Sequence, residues 1–427
     1  MQRYNSSELL KGFGLSTFWG ILAKSLMFIV TFYCSNTLTQ EGFGEYSYIK
    51  NTLDVVILIC ATNFSSLAIK FAAEATRSII SLKRLYVLLI FIISISVIVG
   101  VSILFCPYSL IQNYTKGEAV AYYIKIIALF LPLFVIHPFI TAILRGFRQF
   151  NLVGKYEVSL SLIYVILIFL GIKFYGYRGA IVALICYYLL FSVVGVVIIY
   201  IYNKKFNYLI RVNELSSQLT CLNKMILPVF LMSFIEIPIT WLAQTEVARK
   251  GTYSLVACLS VISTIRYILQ ILPTYFYQSF TPFVALLNVK GEYQAYFSKI
   301  NKVAKMLAVM CIILIPLLLL LGQFILSLFN ESYISSYNSY VISILILPLI
   351  LYSVLLNINM MVREHQHSMV YMSILSSIVF LGCFYFFANT FLGILNSFFI
   401  AQGFQYFVRT IYAAIIYLKD KKVCLGF

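Results

Sequence analysis

Charged residues are scarce in this sequence. Only 11% of the 427 residues are Asp, Glu, Lys or Arg, whereas 62% are hydrophobic and the mean hydropathy is +0.95. A soluble domain is about one quarter charged and about one half apolar. The shortage of charge excludes an ordinary soluble domain and indicates a polytopic membrane protein.

The sequence also lacks the motifs of common enzymes and metal sites. It contains no GxxxxGK[ST], no HExxH and no GxSxG, so ATP hydrolysis through a P-loop is excluded. Its nine cysteines form no CxxC pair, and its three histidines offer no set of metal ligands. We therefore expect a transporter without a bound cofactor and not an enzyme. Proton or sodium coupling is a hypothesis, since the energy for transport must come from a gradient or from the membrane potential.

Apolar runs dominate what is present. A helix crosses the roughly 30 Å hydrocarbon core of a bilayer with about 20 residues, and twelve runs of about that length recur along the chain. The predicted spans are 14–36, 45–69, 85–106, 120–144, 156–175, 179–202, 225–245, 252–277, 303–322, 339–361, 368–388 and 392–418.

The net charge of +17 fits membrane orientation better than nucleic-acid binding, because most Lys and Arg residues lie between apolar runs. If the N-terminus is cytoplasmic, 21 of the 31 basic residues fall in cytoplasmic segments, five in outer segments and five within spans. This bias predicts that both termini are cytoplasmic. No nucleic-acid partner is expected.

A short repeat divides the spans into two sets of six. The sequence GEYS at 44–47 opens the second span, and GTYS at 251–254 opens the eighth, 207 residues later. Because each half has an even number of spans, the halves are parallel and are expected to enclose a cavity. We predict an N-terminal six-helix bundle at 1–205, a cytoplasmic linker at 206–222 and a C-terminal six-helix bundle at 223–427.

Five ionisable residues stand out because they lie well inside spans: Lys24, Asp54, Glu236, Arg266 and Arg409. A charged side chain at the centre of a membrane helix costs at least about 2.5–3.5 kcal/mol, so each must face something other than lipid. Lys24 is predicted near the middle of the first span.

Two interpretations of these charges stay open. In the first, Lys24 pairs with Asp54, and Arg266 pairs with Glu236, simply to neutralise charge between helices. In the second, the cations form the floor of an aqueous cavity that binds a phosphate or another anion, and the acids serve as proton or cation sites.

A basic corner follows the fourth span, with Arg145 and Arg148 in the sequence LRGFRQF. It has two interpretations as well. The arginines either anchor the corner at the cytoplasmic surface, as the positive-inside rule requires, or contact an anionic head group at the cytoplasmic mouth of a cavity.

Three stretches carry a resemblance to a known family. They are GFGLSTFWGILAKSLMFIV with its GFGEYS corner, LRGFRQFNLVGKYE after span four, and IEIPITWLAQTEVARKGTYSLVACLSV from span seven into span eight. Together they resemble the polysaccharide-transport branch of the multidrug/oligosaccharidyl-lipid/polysaccharide (MOP) exporter superfamily, and most closely the bacterial O-antigen flippases.

The resemblance implies an all-α polytopic membrane protein with about twelve transmembrane helices in two parallel six-helix bundles around a central, V-shaped cavity. It implies translocation of an undecaprenyl-pyrophosphate-linked oligosaccharide across the bacterial inner membrane, with membrane lipid, the polysaccharide polymerase and the chain-length regulator as further expected partners. In the related lipid II flippases, basic residues on helices 1 and 8 face the cavity. Lys24 and Arg266 lie on the comparable helices here, whereas Asp54, Glu236 and Arg409 correspond only by general position.

Two alternative functions are kept. A cation-coupled multidrug exporter of the same superfamily is expected to have an acidic cavity, whereas the residues well inside the spans are three basic ones (Lys24, Arg266, Arg409) and two acidic ones (Asp54, Glu236). A membrane enzyme of surface-polysaccharide assembly, such as a polymerase, is expected to have a large outer loop, which this sequence lacks.

Overall fold

The computed structural model describes residues 6–61, 64–75, 79–206, 234–390 and 392–425. Every regular element in these ranges is helical, and they contain no strand. The all-α prediction is confirmed. The high content of Leu, Ile, Val and Phe suits helices in lipid, because a helix satisfies its own backbone hydrogen bonds.

The chain divides into two compact units, Met1–Trp241 and Leu242–Phe427. Most of the predicted linker at 206–222 lies outside the described residues, so the division predicted from the sequence stays a prediction.

Over the described residues, the first unit has eight helices and part of a ninth. They are α1 (Ser6–Thr37), α2 (Gln40–Cys60), α3 (Ser65–Ala75), α4 (Ile79–Phe105), α5 (Tyr108–Thr115), α6 (Glu118–Phe134), α7 (Ile136–Gly146), α8 (Phe150–Phe206) and α9, which is helical over 234–250.

The second unit takes the end of α9 and seven further α-helices within the described ranges. They are α10 (Tyr253–Val289), α11 (Tyr293–Leu320), α12 (Gly322–Phe329), α13 (Tyr337–Leu345), α14 (Leu347–Val362), α15 (Gln366–Ala388) and α16 (Ile394–Leu425), with a 3-10 helix at Glu331–Ser336 between α12 and α13.

Eight segments of the described chain are long and apolar enough to cross a membrane, judged by length and composition. One of them, Phe150–Ile198, has room for two spans. All twelve predicted spans overlap a described helix, although the seventh does so only over 234–245. The polytopic prediction is confirmed.

Proline and glycine mark where spans are interrupted. The fourth predicted span is broken between α6 and α7 near Pro132 and Pro138, and the tenth is broken before α14, which has Pro348 in its first turn. Proline lacks the N–H that a helix interior requires. Within α8, Gly176 has φ 59° and ψ −139°, outside the helical region, and separates the fifth predicted span from the sixth.

Helix α1 packs closely against the first half of α8. Near one end, Trp19 Nε1 donates to Asn151 Oδ1 at 3.1 Å, and a Cβ at Gly154 would lie only 2.1–2.4 Å from atoms of Trp19. Further along, Tyr33 stacks on Phe169 with ring centroids 3.8 Å apart. These contacts fix the rotation of α1 and therefore the face on which its polar residues lie.

Candidate functional site

Lys24 lies on a polar stripe of α1. Thr17, Lys24 and Thr31 are seven residues apart, so they share one face of the helix. The Lys24 side chain is exposed within its unit, whereas the adjacent Ala23 is buried. Lys24 lies seven residues into the apolar segment Thr17–Thr37, or about 10 Å from its start. It is therefore closer to the middle of the segment, at residue 27, than to its start.

His137 on α7 links two of the predicted cations. Its ring packs against Phe191 with centroids 3.6 Å apart, and the charges of both Lys24 and Arg145 are close enough to act on it. The structure thus brings a cation of α1 and a cation at the end of α7 into one region of the first unit.

Arg145 and Arg148 lie at the turn between α7 and α8. Arg145 Nη2 donates to Glu157 Oε1 at 2.8 Å, and the arginine side chain remains 43% exposed. Arg148 is exposed and has φ 60°, the left-handed conformation that ends a helix. Because water and salt screen an exposed pair, Glu157 neutralises Arg145 only in part.

Asp54 on α2 contacts a tyrosine of α8. Tyr188 Oη donates to Asp54 Oδ1 at 2.5 Å, and Asp54 is half-buried. Tyr188 is therefore a hydrogen-bond partner of Asp54. A hydrogen bond from a hydroxyl group to a charged carboxylate is shorter and stronger than one between two neutral groups.

Further tyrosines extend this contact between α2 and α8. The hydroxyls of Tyr46 and Tyr164 are 2.5 Å apart, and Tyr187 stacks on Tyr164 with ring centroids 4.4 Å apart. The interior of the first unit thus contains a layer of hydroxyl groups next to Asp54. Such groups hold a carboxylate in place without neutralising it.

Glu236 lies in α9 and is half-buried. Five residues later, Trp241 Nε1 donates to Thr52 Oγ1 at 3.0 Å. This hydrogen bond joins α9 to α2 at a position two residues before Asp54. The first unit therefore holds both predicted carboxylates on helices that are joined by a hydrogen bond. The preceding part of the seventh predicted span, 225–233, lies outside the described residues.

In the second unit, Arg266 is buried in α10, with 8% of its surface exposed. Its Nη1 donates to Gln402 Oε1 at 2.6 Å, and its guanidinium lies 5.6 Å from the ring centroid of Phe399. Both partners belong to α16. A buried charge requires such polar and aromatic partners, because desolvation costs several kcal/mol.

The buried face of α16 carries a line of polar residues. Gln402, Gln405, Arg409 and Asp420 are spaced so that they share one side of the helix, and all four are buried. Arg409 Nε donates to Ser376 Oγ of α15 at 3.0 Å. Arg409 is thus held inside the second unit.

Charge in the sequence identifies the ionisable residues but not their neutral partners. Tyr188, Gln402 and Ser376 carry no charge, so nothing singles them out among many polar residues. One signal was visible: Gln402, Gln405 and Arg409 recur at helical spacing within an apolar run. Within the described ranges, no group of three His, Cys, Asp or Glu residues is placed to hold a metal ion.

Comparison with known proteins identifies the family. A family model described as polysaccharide biosynthesis protein matches residues 9–285, which is more than half of the chain. The chain belongs to this family. The matched region contains six of the seven predicted site residues and ends before Arg409.

Solved structures with the same fold are transporters. A multidrug resistance MATE family transporter of the MOP superfamily, in an inward-facing conformation, matches with a TM-score of 0.76 and 14% identity over 94% of this chain and 96% of that chain. A MOP superfamily transporter from Pyrococcus furiosus matches with a TM-score of 0.69 and 14% identity over 97% and 96%. A variant of a Vibrio cholerae MATE transporter matches with a TM-score of 0.61 and 16% identity over 97% of each chain.

No match was found among curated proteins. The family model confirms that the chain belongs to a polysaccharide biosynthesis family, and the chain shares its fold with transporters of the MOP superfamily. This family member is a multi-pass membrane protein with a transporter fold.

Proposed function

We propose that this family member is a flippase that moves undecaprenyl-pyrophosphate-linked O-antigen or related polysaccharide repeat units from the cytoplasmic to the periplasmic leaflet by alternating access. The proposal depends chiefly on one observation, the match of residues 9–285 to a polysaccharide biosynthesis family in a chain with a transporter fold. Polysaccharide assembly needs a transporter where a lipid-linked intermediate must cross the membrane.

The cations support an anionic cargo. Lys24 and Arg145 both interact electrostatically with His137 in the first unit. The Lys24 side chain is exposed there. A pyrophosphate offers several oxygens to ammonium and guanidinium donors, which bind it through charge-assisted hydrogen bonds. We assign Lys24 and Arg145 as the first contacts of the pyrophosphate, with Arg148 at the edge. Arg266 and Arg409 are proposed as secondary contacts that must first leave Gln402 and Ser376.

The setting proposed for this activity is the bacterial inner membrane, with both termini in the cytoplasm. Membrane lipid surrounds the protein, and the polymerase and the chain-length regulator of the pathway are its proposed protein partners. The chemistry requires no bound cofactor, and its driving ion is assigned below to Asp54.

The second candidate function is cation-coupled export of drugs. It is favoured by the solved structures, since two of those reported above are described as MATE transporters. The Pyrococcus furiosus protein is described as having a binding pocket of reverse polarity that suggests a different function. The fold is thus compatible with more than one cargo.

A deletion strain separates the two functions. Loss of the protein is expected to make undecaprenyl-linked repeat units accumulate and long surface polysaccharide disappear, because polymerisation takes place after translocation. Lipid extracts and polysaccharide gels measure the two effects, and a plasmid copy of the gene must reverse both. Unchanged polysaccharide together with increased sensitivity to cationic dyes would instead assign drug export.

Asp54 is proposed as the site of proton or sodium coupling. Asp54→Asn keeps an oxygen that can accept from Tyr188 but removes the charge, so we expect at least a tenfold loss of transport with little change in melting temperature. Tyr188→Phe removes only the donor and is expected to lower stability by about 1.5–3 kcal/mol, the value of a hydrogen bond to a charged group. Full transport by the Asp54→Asn protein at normal expression would exclude the coupling role.

A further inference from the structure

A basic cavity of about 450 Å³ lies in the second unit, between the first half of α11 and the last turns of α16. It is separate from the residues assigned above to the cargo and to coupling. Its wall includes Phe297, Asn301, Lys302, Lys305, Lys421 and Leu425.

The cavity offers donors to an anion and no carboxylate. Three lysines line it, and its lining contains no Asp or Glu. Asn301 Oδ1 already accepts from Tyr417 Oη at 2.9 Å, so the amide N–H groups of Asn301 are the donors left for a ligand. A compact ammonium binds phosphate as a point charge, and several together bind it strongly.

The carboxylate next to Lys421 in the sequence already has its own partners. Asp420, adjacent to Lys421, accepts from Asn359 Nδ2 at 3.0 Å and lies 3.0 Å from His365 Nε2 and 3.5 Å from Arg363 Nε. Asp420 is buried. Its charge is therefore compensated within the unit and does not neutralise the lysines of the cavity.

The position of the cavity along α11 places it at the level of lipid head groups. Helix α11 has 28 residues, or about 42 Å, which exceeds the roughly 30 Å of hydrocarbon. Lys302 and Lys305 lie nine and twelve residues after its first residue, where the helix enters the apolar layer. Long basic side chains at this level reach the interface by snorkelling.

An apolar track leads away from the lysines along the same face of α11. Met306, Val309 and Ile313 follow Lys302 at helical spacing and are 52%, 57% and 63% exposed. Phe297 and Leu425 add apolar wall inside the cavity. A soluble phosphate has no apolar atoms to bury against such a surface, whereas the acyl chains of a lipid would cover it.

We propose that this cavity binds the phosphate of an anionic phospholipid, with Lys302, Lys305 and Lys421 as its cationic contacts and the acyl chains along α11. The site is independent of the proposed cargo, since its lining contains none of the residues assigned to the cargo. A lipid bound there ties the beginning of α11 to the end of α16.

Native mass spectrometry of the purified full-length protein tests the site, with phosphatidylglycerol as the probe and phosphatidylethanolamine as the zwitterionic comparison. The test variant carries Lys302→Gln, Lys305→Gln and Lys421→Gln. The matched control carries Lys299→Gln, Lys419→Gln and Lys422→Gln, three exposed lysines of the same two helices that do not line the cavity. We expect phosphatidylglycerol affinity to fall at least about tenfold in the test variant and less than about twofold in the control.

Other outcomes would overturn the proposal. Equal losses in both variants would mean that the bound lipid responds only to the general positive charge of this face. Unchanged binding in the test variant would place the lipid elsewhere. Displacement of phosphatidylglycerol by millimolar inorganic phosphate would assign the cavity to a soluble anion, and preferential displacement by undecaprenyl pyrophosphate would assign it to the cargo.

Discussion

Replacing Lys24 by alanine will reduce polysaccharide export about 30- to 150-fold, whereas Lys24→Arg will retain a substantial part of it. The alanine variant loses a charge-assisted contact to the pyrophosphate, and such a contact contributes about 2–3 kcal/mol. Arginine preserves the charge on the polar stripe of α1 and adds donors in a different geometry. The measurement is complementation of a deletion strain, read as the amount of long-chain polysaccharide.

Lys125→Ala is the matched control for this prediction. Lys125 lies in α6, another membrane-crossing helix, and its Nζ donates to the carbonyl oxygen of Leu104 at 3.2 Å. We expect its replacement to change export by less than about twofold, since no cargo contact is assigned to it. Full export by the Lys24→Ala protein, at an expression level equal to that of the unmodified protein, would refute the pyrophosphate contact.

Gln402→Leu will lower the melting temperature of the purified protein by about 6–12 °C. The substitution removes the acceptor of Arg266 Nη1 and leaves a guanidinium buried without it, which costs about 3–5 kcal/mol. Arg266→Met together with Gln402→Leu should recover part of this loss, because both polar groups are then replaced by apolar ones. Thermal unfolding followed by intrinsic fluorescence measures both effects.

Gln323→Leu provides the control, since Gln323 is exposed on α12. Its melting temperature is expected to change by about 1–2 °C at most. A Gln402→Leu protein as stable as this control would show that Arg266 does not depend on Gln402. The arginine would then reach water, which would favour the interpretation of Arg266 as a direct cavity contact over that of a buried structural charge.

The helices were predictable from the sequence because a single requirement determines them, which is that the backbone of an apolar segment in lipid must satisfy its own hydrogen bonds. Runs of apolar residues must be helical in lipid, and Pro132, Pro138 and Gly176 mark the breaks that the structure has. Hydropathy does not fix where each helix begins, so α1 starts at Ser6, eight residues before the predicted span. Lys24 consequently lies deeper in its helix than the predicted span implies, whereas it stays close to the middle of the apolar segment.

Partner choice could not be predicted in the same way. Asp54 and Lys24 are opposite charges on consecutive spans, yet Asp54 accepts from Tyr188, which is 134 residues away. Such a contact depends on the rotation of α2 and α8 about their axes, and packing of large neutral side chains determines that rotation. The same reason applies to Arg266 and Gln402, which are 136 residues apart.

The most direct measurement of the proposed function is the leaflet in which the lipid-linked repeat unit accumulates when the protein is absent. Spheroplasts of the deletion strain, probed with a membrane-impermeant lectin or glycosidase specific for the sugar, should show the repeat unit protected on the cytoplasmic side. Expression of the protein should make it accessible, and expression of the Lys24→Ala variant should leave it protected. Repeat units that are equally accessible with and without the protein would contradict a flippase.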